Sequence, residues 1–349
     1  EGPLTMIDIG DTKTIERLPP KKKDMIKASA YYLNNREIFV NFINALFKPY
    51  KDELKTEKRG KTEGFSIMVH QKIVRDYLAH YTPYRGLLLY HGLGSGKTCS
   101  SIAIAEGLKS DRQIIVMTPA SLRRNYIEEL KKCGDPIFKK NQFWEFVYIK
   151  NKDDVVNKDL LQELSKILQI SENFIEKQGG AWLVNVKKKS NFDDLQDDAK
   201  SSIDNQINEM IRYKYKFINY NGLRNSHWRD MTINDTINPF DNKVVIIDEA
   251  HNFVSRIVNK LKYSDSLSQK MYQNLMTANN VKIVLLSGTP IINYPNEIAI
   301  LFNILRGYIK TWSFPLNIKT TKKINKETFE QIFAKFDLLD QIEYKANLK

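Results

Sequence analysis

Residues 86–98 read GLLLYHGLGSGKT, an apolar run followed by a glycine-rich turn and then by a segment with helical periodicity. The run from Gly86 to Tyr90 is too short for a helix and predicts a buried strand. Glycines let the turn bend so that backbone N–H groups point inward, and the helix that follows adds a positive dipole. This order of strand, turn and helix predicts a phosphate-binding loop.

Each part of this loop has a predicted contact with a nucleotide. Lys97 would bind the β- and γ-phosphates, and the Thr98 hydroxyl would bind Mg²⁺. The strict pattern has glycine where this sequence has His91, so the first position departs from it. A glycine-rich turn with a chance Lys-Thr pair is the alternative, which the flanking strand and helix disfavour. The predicted nucleotide-binding residues of the loop are Gly92, Gly94, Ser95, Gly96, Lys97 and Thr98.

Further apolar runs outside this stretch predict more strands of the same sheet. They are QIIVM (113–117), YKFINY (215–220), VVII (244–247) and VKIVLL (281–286). Segments with helical periodicity lie between them, at 98–108, 122–133 and 267–276. Ser121 is a plausible N-cap for the second of these helices, and Gly134 a plausible stop. Strands that are apolar on both faces and alternate with helices predict an α/β fold with a mainly parallel sheet.

Two adjacent carboxylates, Asp248 and Glu249, follow the run at 244–247. Ligands of α/β sheets bind at the carboxyl ends of the strands. Asp248 is therefore predicted to hold Mg²⁺ through its water shell, and Glu249 to polarise the water that attacks the γ-phosphate. A solvated Asp-Glu pair after a strand is the alternative, which is less favoured because the phosphate loop is also present.

Two weaker signals extend this site. Ser287 and Thr289 follow the run at 281–286 and would on their own be read as a simple turn. Gln71 lies in a helix-like segment, 68–78, where its amide could read an edge of adenine. An ordinary surface glutamine is an equally good interpretation.

Composition limits the class of protein without deciding it. The 349 residues include 42% hydrophobic residues and carry a net charge of +13, which favours a polyanionic partner but does not establish one. No apolar run approaches the roughly 20 residues of a membrane-spanning helix, so we expect no membrane insertion. Two cysteines, Cys99 and Cys133, predict neither a disulfide framework nor a cysteine-rich zinc site, and they favour a reducing compartment.

The chain divides into three predicted regions. Residues 1–60 form a helical N-terminal extension with an apolar stripe that Pro49 ends or kinks, and 55–64 read as a linker. Residues 61–307 form the α/β domain, interrupted at about 151–212 by a partly mobile insertion. Residues 308–349 form a connector with a final amphipathic helix.

The motifs together resemble a known family. In order they are Gln71, GLGSGKT (92–98), VMTPASL (116–122), INYNGL (218–223), IIDEAH (246–251) and LLSGTPI (285–291). This set is similar to the first RecA-like domain of superfamily 2 helicases and translocases, over roughly 65–307. The DEAH and SGTP versions, with Asn293 and Glu297 following, resemble the Swi/Snf-related branch. Within it the chain is most similar to helicase-like ATPases of nucleocytoplasmic large DNA viruses, including the ATPase subunit of the poxvirus-type early transcription factor.

The resemblance implies a RecA-like P-loop NTPase domain that binds and hydrolyses Mg-ATP in a nucleic-acid helicase or translocase. Lys97, Asp248, Glu249 and His251 would be catalytic, His251 also linking the ATP site to the nucleic-acid side. Ser287 and Thr289 would couple hydrolysis to movement. Thr118, Pro119, Arg123 and Arg124 correspond to the region that holds the sugar-phosphate backbone. Pairing of the two arginines with Glu128 and Glu129 on a solvated helix face is an equal alternative.

The resemblance also sets expectations about partners. Superfamily 2 motors hold ATP between two RecA-like domains, and no second set of motifs follows Gly307, so this chain should bind ATP yet hydrolyse it poorly without that domain and its arginine finger. Nucleic acid is the expected partner, with DNA favoured over RNA, together with RNA polymerase or other transcription factors. A virion or a cytoplasmic virus factory is the expected location.

A nucleotide-dependent docking module for a polymerase or virion protein is the alternative function. A small-molecule kinase is disfavoured because no acceptor site is evident.

Overall fold

A five-stranded parallel sheet forms the centre of the computed structural model, with strand order β3-β9-β8-β4-β7. The structure describes residues 8–9, 12–13, 17, 36–56, 69–78, 84–90, 96–108, 112–149, 155–263, 265–308, 313–315, 321, 324–334 and 342–345. The sheet strands are β3 (Gly86–Tyr90), β4 (Gln113–Thr118), β7 (Tyr215–Asn219), β8 (Lys243–Ile247) and β9 (Lys282–Ser287). The predicted α/β fold with a mainly parallel sheet is confirmed, and each of the five apolar runs became one of these strands.

Both faces of the sheet are buried because alternate residues of each strand enter two different apolar cores. Ile246 and Val284 belong to one core, whereas Val245 and Ile283 belong to the other. All four side chains are fully buried. Sequences of this kind are continuously apolar because neither face meets water.

Thirteen α-helices are present among the described residues, and several of them pack on the sheet. They are α1 (Arg36–Leu46), α2 (Lys48–Thr56), α3 (Val69–Tyr77), α4 (Lys97–Leu108), α5 (Arg123–Cys133), α6 (Val155–Leu168), α7 (Glu172–Gln178), α8 (Asp197–Lys214), α9 (Asn225–Thr232), α10 (Ala250–Val258), α11 (Leu267–Thr277), α12 (Asn296–Arg306) and α13 (Lys326–Phe333). Helix α4 follows the loop after β3, as the sequence predicts. In the described part of the chain, no helix is long and apolar enough to span a bilayer.

Two helices, α1 and α2, lie in the described part of the predicted N-terminal extension. Helices α1 and α2 meet at Phe47, with Pro49 in the first turn of α2, where its missing N–H costs nothing. A short antiparallel pair, β1 (Asp8–Ile9) and β2 (Thr12–Lys13), was not predicted. The predicted linker at 55–64 lies almost entirely outside the described residues.

The insertion is larger and more regular than the sequence predicts. Strand β5 (Trp144–Tyr148) pairs antiparallel with β6 (Gly180–Val184), and helices α6 and α7 lie between them. Helix α8 then leads directly into β7. Helix α8 buries Ile203, Ile207 and Ile211, which recur at helical spacing among polar residues.

The start of helix α5 also differs from the prediction. Residues Ala120–Leu122 form a short 3₁₀ turn, and Leu122 rather than Ser121 precedes the α-helix. No side chain caps that helix start. The predicted stop is correct, because the helix ends at Cys133 and the Gly134 N–H donates to the Leu130 carbonyl.

Candidate functional site

The predicted motifs meet at the carboxyl edge of the sheet. Tyr90 at the end of β3 lies beside Ser287 at the end of β9, and Ile247 at the end of β8 pairs with Met117 of β4. Because all five strands are parallel, the segments that follow them emerge on the same side. This is the edge at which α/β sheets bind ligands.

The end of the phosphate loop is placed at the start of helix α4. Gly96 has a φ of +76°, a conformation that favours glycine, and Lys97 and Thr98 form the first turn of the helix. His91, Gly92, Gly94 and Ser95 lie outside the described residues, so their predicted contacts stay predictions. The described part has the backbone turn and helix start that a phosphate site requires.

Gln71 lies against this loop. Its side chain is 2% exposed, and its Nε2 atom is 3.1 Å from the point where a Cβ atom on Gly96 would lie. The alternative of an ordinary surface glutamine is therefore wrong. The buried position next to Gly96 is compatible with the predicted adenine contact, which stays a prediction.

Asp248 occupies an unfavourable electrostatic environment. Burial and the neighbouring Glu249 charge raise the pKa of its carboxyl to about 6, while the Glu249 N–H, Lys97 and Thr118 lower it. Lys97 is one of the groups that lower this pKa, and it begins the helix that follows β3 at the same edge of the sheet. The cation and the carboxylates predicted to act together are thus brought together.

Glu249 is held in a strained backbone conformation. Its φ and ψ angles of 47° and 51° lie in the left-handed region, which costs a non-glycine residue about 1–3 kcal/mol. Glu249 also precedes the first residue of helix α10, so the chain turns sharply between β8 and that helix. Strain of this kind is typical of functional sites.

His251 bridges two of the motifs. Its Nδ1 atom lies 2.9 Å from the Ser287 hydroxyl and 3.5 Å from a Glu249 carboxylate oxygen. Ser287 is fully buried, and its hydroxyl also accepts a hydrogen bond from the Thr289 N–H at 3.1 Å. The histidine after the two carboxylates and the hydroxyl residues after β9 therefore form one continuous network.

The loop after Thr289 is fastened by a buried carboxylate. Glu297 is fully buried and accepts hydrogen bonds from the N–H groups of Ile292 and Asn293, at 2.8 and 3.1 Å. The Asn293 amide donates to the Ser255 hydroxyl of helix α10 at 2.8 Å. These hydrogen bonds lower the pKa of Glu297 despite its burial, so it stays ionised.

The four residues predicted to hold nucleic acid differ in exposure. Thr118 is 1% exposed and its hydroxyl is directed to Asp248 and to the Pro119 carbonyl, which argues against a contact with a phosphate backbone. The Arg123 guanidinium lies over the Phe217 ring, 5.2 Å from its centroid. Pro119 is half-buried, whereas Arg124 is exposed. The predicted contacts stay predictions.

The alternative pairing of these arginines with glutamates is not present. Glu128 pairs instead with Lys131 at 3.2 Å, and Glu129 with Lys132 at 3.0 Å. Both ion pairs connect residues one helical turn apart on α5. Exposed pairs of this kind contribute little to stability.

Cys99 and Cys133 form a disulfide, with a Cα–Cα distance of 5.7 Å. The two cysteines predicted no disulfide framework and a reducing compartment, and the single bond between them corrects the expectation that both stay reduced. The bond connects the first turn of α4, next to Thr98, to the last residue of α5. It fastens the helix that begins the phosphate site to its neighbour.

Comparison with known proteins decides the family. The sequence model of the SNF2-related domain matches residues 70–328. The chain belongs to this family. The match covers the five-stranded sheet and every described motif at its carboxyl edge.

The relatives of this SNF2-related domain include proteins of large DNA viruses. A protein of Acanthamoeba polyphaga mimivirus named as an ATP-dependent RNA helicase is 29% identical over 273 residues, 76% of this chain and 38% of that protein. A protein of Invertebrate iridescent virus 3 named as a helicase is 26% identical, over 75% of this chain and 22% of that protein. The termination factor NPH-I homolog of African swine fever virus (isolate Tick/Malawi/Lil 20-1/1983) is 23% identical, over 82% and 33%. The predicted resemblance to Swi/Snf-like proteins of large DNA viruses is confirmed.

The SNF2-related domain of this chain spans a minor part of these relatives, between 22% and 38% of their length. A SWI2/SNF2 ATPase core of Sulfolobus solfataricus in complex with dsDNA aligns with 67% of this chain and 34% of that chain, at 14% identity and a TM-score of 0.34.

The SNF2-related domain has a donor set that fits Mg²⁺. Asp248 and Glu249 are adjacent carboxylates, and the raised pKa of Asp248 shows that burial and the Glu249 charge oppose its ionisation. A cation beside Asp248 would relieve that cost. Oxygen atoms are the ligands that Mg²⁺ prefers, and Thr98, in the first turn of α4, would supply a hydroxyl oxygen.

Tyr220 lies in the INYNGL motif (218–223), and none of the predicted roles is assigned to it. The Tyr220 hydroxyl lies 3.1 Å from the Asp248 carbonyl oxygen and 3.2 Å from that of Glu249. Its position directly after a buried strand of the same sheet was the available signal.

Proposed function

We propose that this chain is the nucleotide-binding part of an ATP-driven motor that moves along nucleic acid. The observation that carries the proposal is the meeting of Lys97, Asp248 and Glu249 at the carboxyl edge of one parallel sheet, with the His251–Ser287 pair beside them. Family membership and the names of the viral relatives support the same function.

Each side chain has a proposed task in ATP hydrolysis. Lys97 binds the β- and γ-phosphates, and Gln71 contributes to adenine selection. Thr98 and Asp248 hold Mg²⁺, which supplies positive charge to the phosphate oxygens when bound. Glu249 orients the attacking water and accepts its proton. The network of His251, Ser287 and Thr289 transmits the state of the nucleotide to the rest of the domain.

The proposed substrate is nucleic acid, with duplex DNA ahead of RNA because the motifs are of the Swi/Snf-related type. The net charge of +13 favours a polyanion, and the exposed Arg123 and Arg124, with the half-buried Pro119 nearby, are the candidates for backbone contacts. The mimivirus relative is named as an RNA helicase, so RNA is the competitor to test. A termination factor homolog among the relatives supports the proposed link to transcription and to RNA polymerase.

The proposal includes the organisation of the whole protein. Residues 1–60 are an extension, 61–307 the first RecA-like domain, and 308–349 a connector to a second RecA-like domain that completes the ATP site.

The proposed location is a virion or a cytoplasmic virus factory. The Cys99–Cys133 disulfide does not support the expectation of a reducing compartment.

Nucleic-acid-stimulated ATP hydrolysis by the full-length polypeptide that contains this chain tests the proposal. Duplex DNA should stimulate the wild-type rate more than single-stranded RNA does. Glu249→Gln should lower kcat by about 10²- to 10³-fold because the variant loses its proton acceptor. The matched control Glu128→Gln, on the exposed face of α5, should behave as wild type. Equal rates for wild type and Glu249→Gln would instead favour the docking module.

A further inference from the structure

We propose that Tyr220 is a positioning residue that holds Glu249 in its catalytic conformation. This inference rests on the proposed function, because it assumes that Glu249 acts on the attacking water. Tyr220 follows β7, and β4 lies between β7 and β8. Its side chain therefore reaches past the end of β4 to the turn that carries the two carboxylates.

The hydroxyl contacts both peptide groups that flank the Glu249 Cα atom. One carbonyl oxygen, that of Asp248, is 3.1 Å away, and the other, that of Glu249, is 3.2 Å away. The φ and ψ angles of Glu249 set the relative orientation of these two peptide planes. One donor shared between both carbonyls favours conformations in which the two carbonyls point the same way, as they do in the observed left-handed turn.

This hydrogen bonding offsets a specific cost. A glutamate at φ 47° and ψ 51° is strained, and the strain persists only where the surroundings enforce it. A Tyr hydroxyl has a single proton to donate, so the two carbonyls share it. Without that proton, the left-handed conformation of Glu249 would lose the hydrogen bond that stabilises it. The backbone would then relax, and the Glu249 carboxylate would move from its present position.

Tyr220 is itself fixed from two sides. Its ring is 1% exposed and packs edge-on against Phe253 of helix α10, with centroids 5.4 Å apart. Its backbone carbonyl and that of Asn221 each accept a hydrogen bond from the Arg256 guanidinium at 3.0 Å. The Arg256 Nε atom donates in turn to the Ser268 hydroxyl at 3.1 Å. The hydroxyl is thus held in place by a clamp of α10 on the end of β7.

Burial and the nearby negative charges keep the Tyr220 hydroxyl protonated. Burial raises the pKa of Tyr220 well above its usual value, and the Asp248 and Glu249 charges raise it further. The hydroxyl therefore remains a donor throughout the pH range in which the protein is studied.

Steady-state kinetics of Tyr220→Phe in the full-length polypeptide test the inference, because the change removes only the hydroxyl. We expect kcat to fall by about 10-fold or more, since sub-ångström displacement of a catalytic group is costly, while KM for ATP changes by less than about twofold. Tyr272→Phe is the matched control. Tyr272 is also buried, in the same apolar core, and its hydroxyl accepts a hydrogen bond from Asn303, away from the carboxylates.

A double-mutant cycle separates positioning from general destabilisation. In the Glu249→Gln background, Tyr220→Phe should change the single-turnover rate by less than about twofold, because the group it positions has already been removed. If Tyr220→Phe lowered the single-turnover rate of Glu249→Gln by as large a factor as it lowers that of wild type, the inference would be overturned. Arg256→Met, which loosens Tyr220 from its backbone side, should repeat the loss of kcat with little change in KM; an unchanged kcat there would also count against the inference.

Failure of this inference can be told apart from failure of the proposed function. If Glu249→Gln is inactive but Tyr220→Phe matches Tyr272→Phe, the motor function stands and the positioning role is wrong. If Glu249→Gln retains the wild-type rate, the proposed function itself fails, and the positioning role fails with it.

Discussion

At the amino edge of the central sheet, Arg85, Arg112 and Lys282 donate to backbone carbonyl groups of the domain, whereas at the carboxyl edge Asp248 is buried beside another carboxylate. Lys282 lies 2.6 Å from the Tyr84 carbonyl oxygen, and Arg85 lies 3.1 Å from that of Ala278. Arg112 contacts both the carbonyl and the side chain of Asn280. Both edges bury charge, but the amino edge pairs its charge with its own backbone.

This difference between the two edges of the sheet distinguishes charges that stabilise the fold from charges that serve a ligand site. Hydrogen bonds from a charged donor to carbonyl groups stabilise the fold and hold the amino edge together. At the carboxyl edge the pKa of Asp248 is raised to about 6, which indicates an ionised form that the protein alone does not favour. Perturbed groups of this kind, brought together in a cleft, are typical of a ligand site. The predictions below test each edge in turn.

The disulfide at the carboxyl edge should have the largest effect on stability. Cys99 and Cys133 are 34 residues apart, and closing a loop of that length stabilises a protein by about 4 kcal/mol. Denaturant unfolding with and without dithiothreitol should show a loss of that order on reduction. Cys133→Ser should have the reduced stability and no response to dithiothreitol. Two reactive thiols in the unreduced protein would contradict the bond.

Lys282 at the amino edge should have a smaller effect that depends on pH. Burial, and then the nearby Arg112 charge, lower its pKa to about 8, below the value of about 10.4 in an unfolded chain. Between these values the unfolded state binds more protons, so the free energy of unfolding should rise with pH, by about 1 kcal/mol between pH 8 and 9.5.

Denaturant unfolding at a series of pH values measures this effect. Lys282→Met removes the titrating group, so its unfolding free energy should lack the rise. The exposed Lys216→Met on β7 serves as the control and should keep it. A wild-type stability that falls between pH 8 and 9.5 would show that the amino-edge lysine is not held as the structure indicates.

The sequence predicted the carboxyl edge better than the contacts around it. Apolar runs such as 244–247 could be recognised as strands because both faces of the sheet are buried, and parallel strands necessarily bring their carboxyl ends together. The Tyr220 contact could not be predicted, because it depends on which strand lies between β7 and β8. That order is set by tertiary packing, and the sequence does not state it.

The disulfide and helix α8 were also not predicted from the sequence, for two different physical reasons. Cys99 and Cys133 pair because the first turn of α4 lies against the last turn of α5, and such a contact between helices leaves no signal in sequence spacing. Helix α8 was missed because its exposed face is strongly charged, and its buried Ile203, Ile207 and Ile211 are widely spaced among polar residues. A helix with so few apolar residues is hard to recognise from its sequence, because polar residues outnumber them and the core that they pack against is not known in advance.

The Mg²⁺ dependence of ATP affinity, measured by calorimetry, tests most directly whether Lys97 and Asp248 belong to one site. Wild type should bind ATP more tightly with Mg²⁺ than without it. Asp248→Asn should lose most of that gain, and Lys97→Ala should bind at least about 100-fold more weakly in either condition, with the fold retained. Wild-type affinity in Lys97→Ala, or an unchanged Mg²⁺ gain in Asp248→Asn, would contradict a nucleotide site at the carboxyl edge.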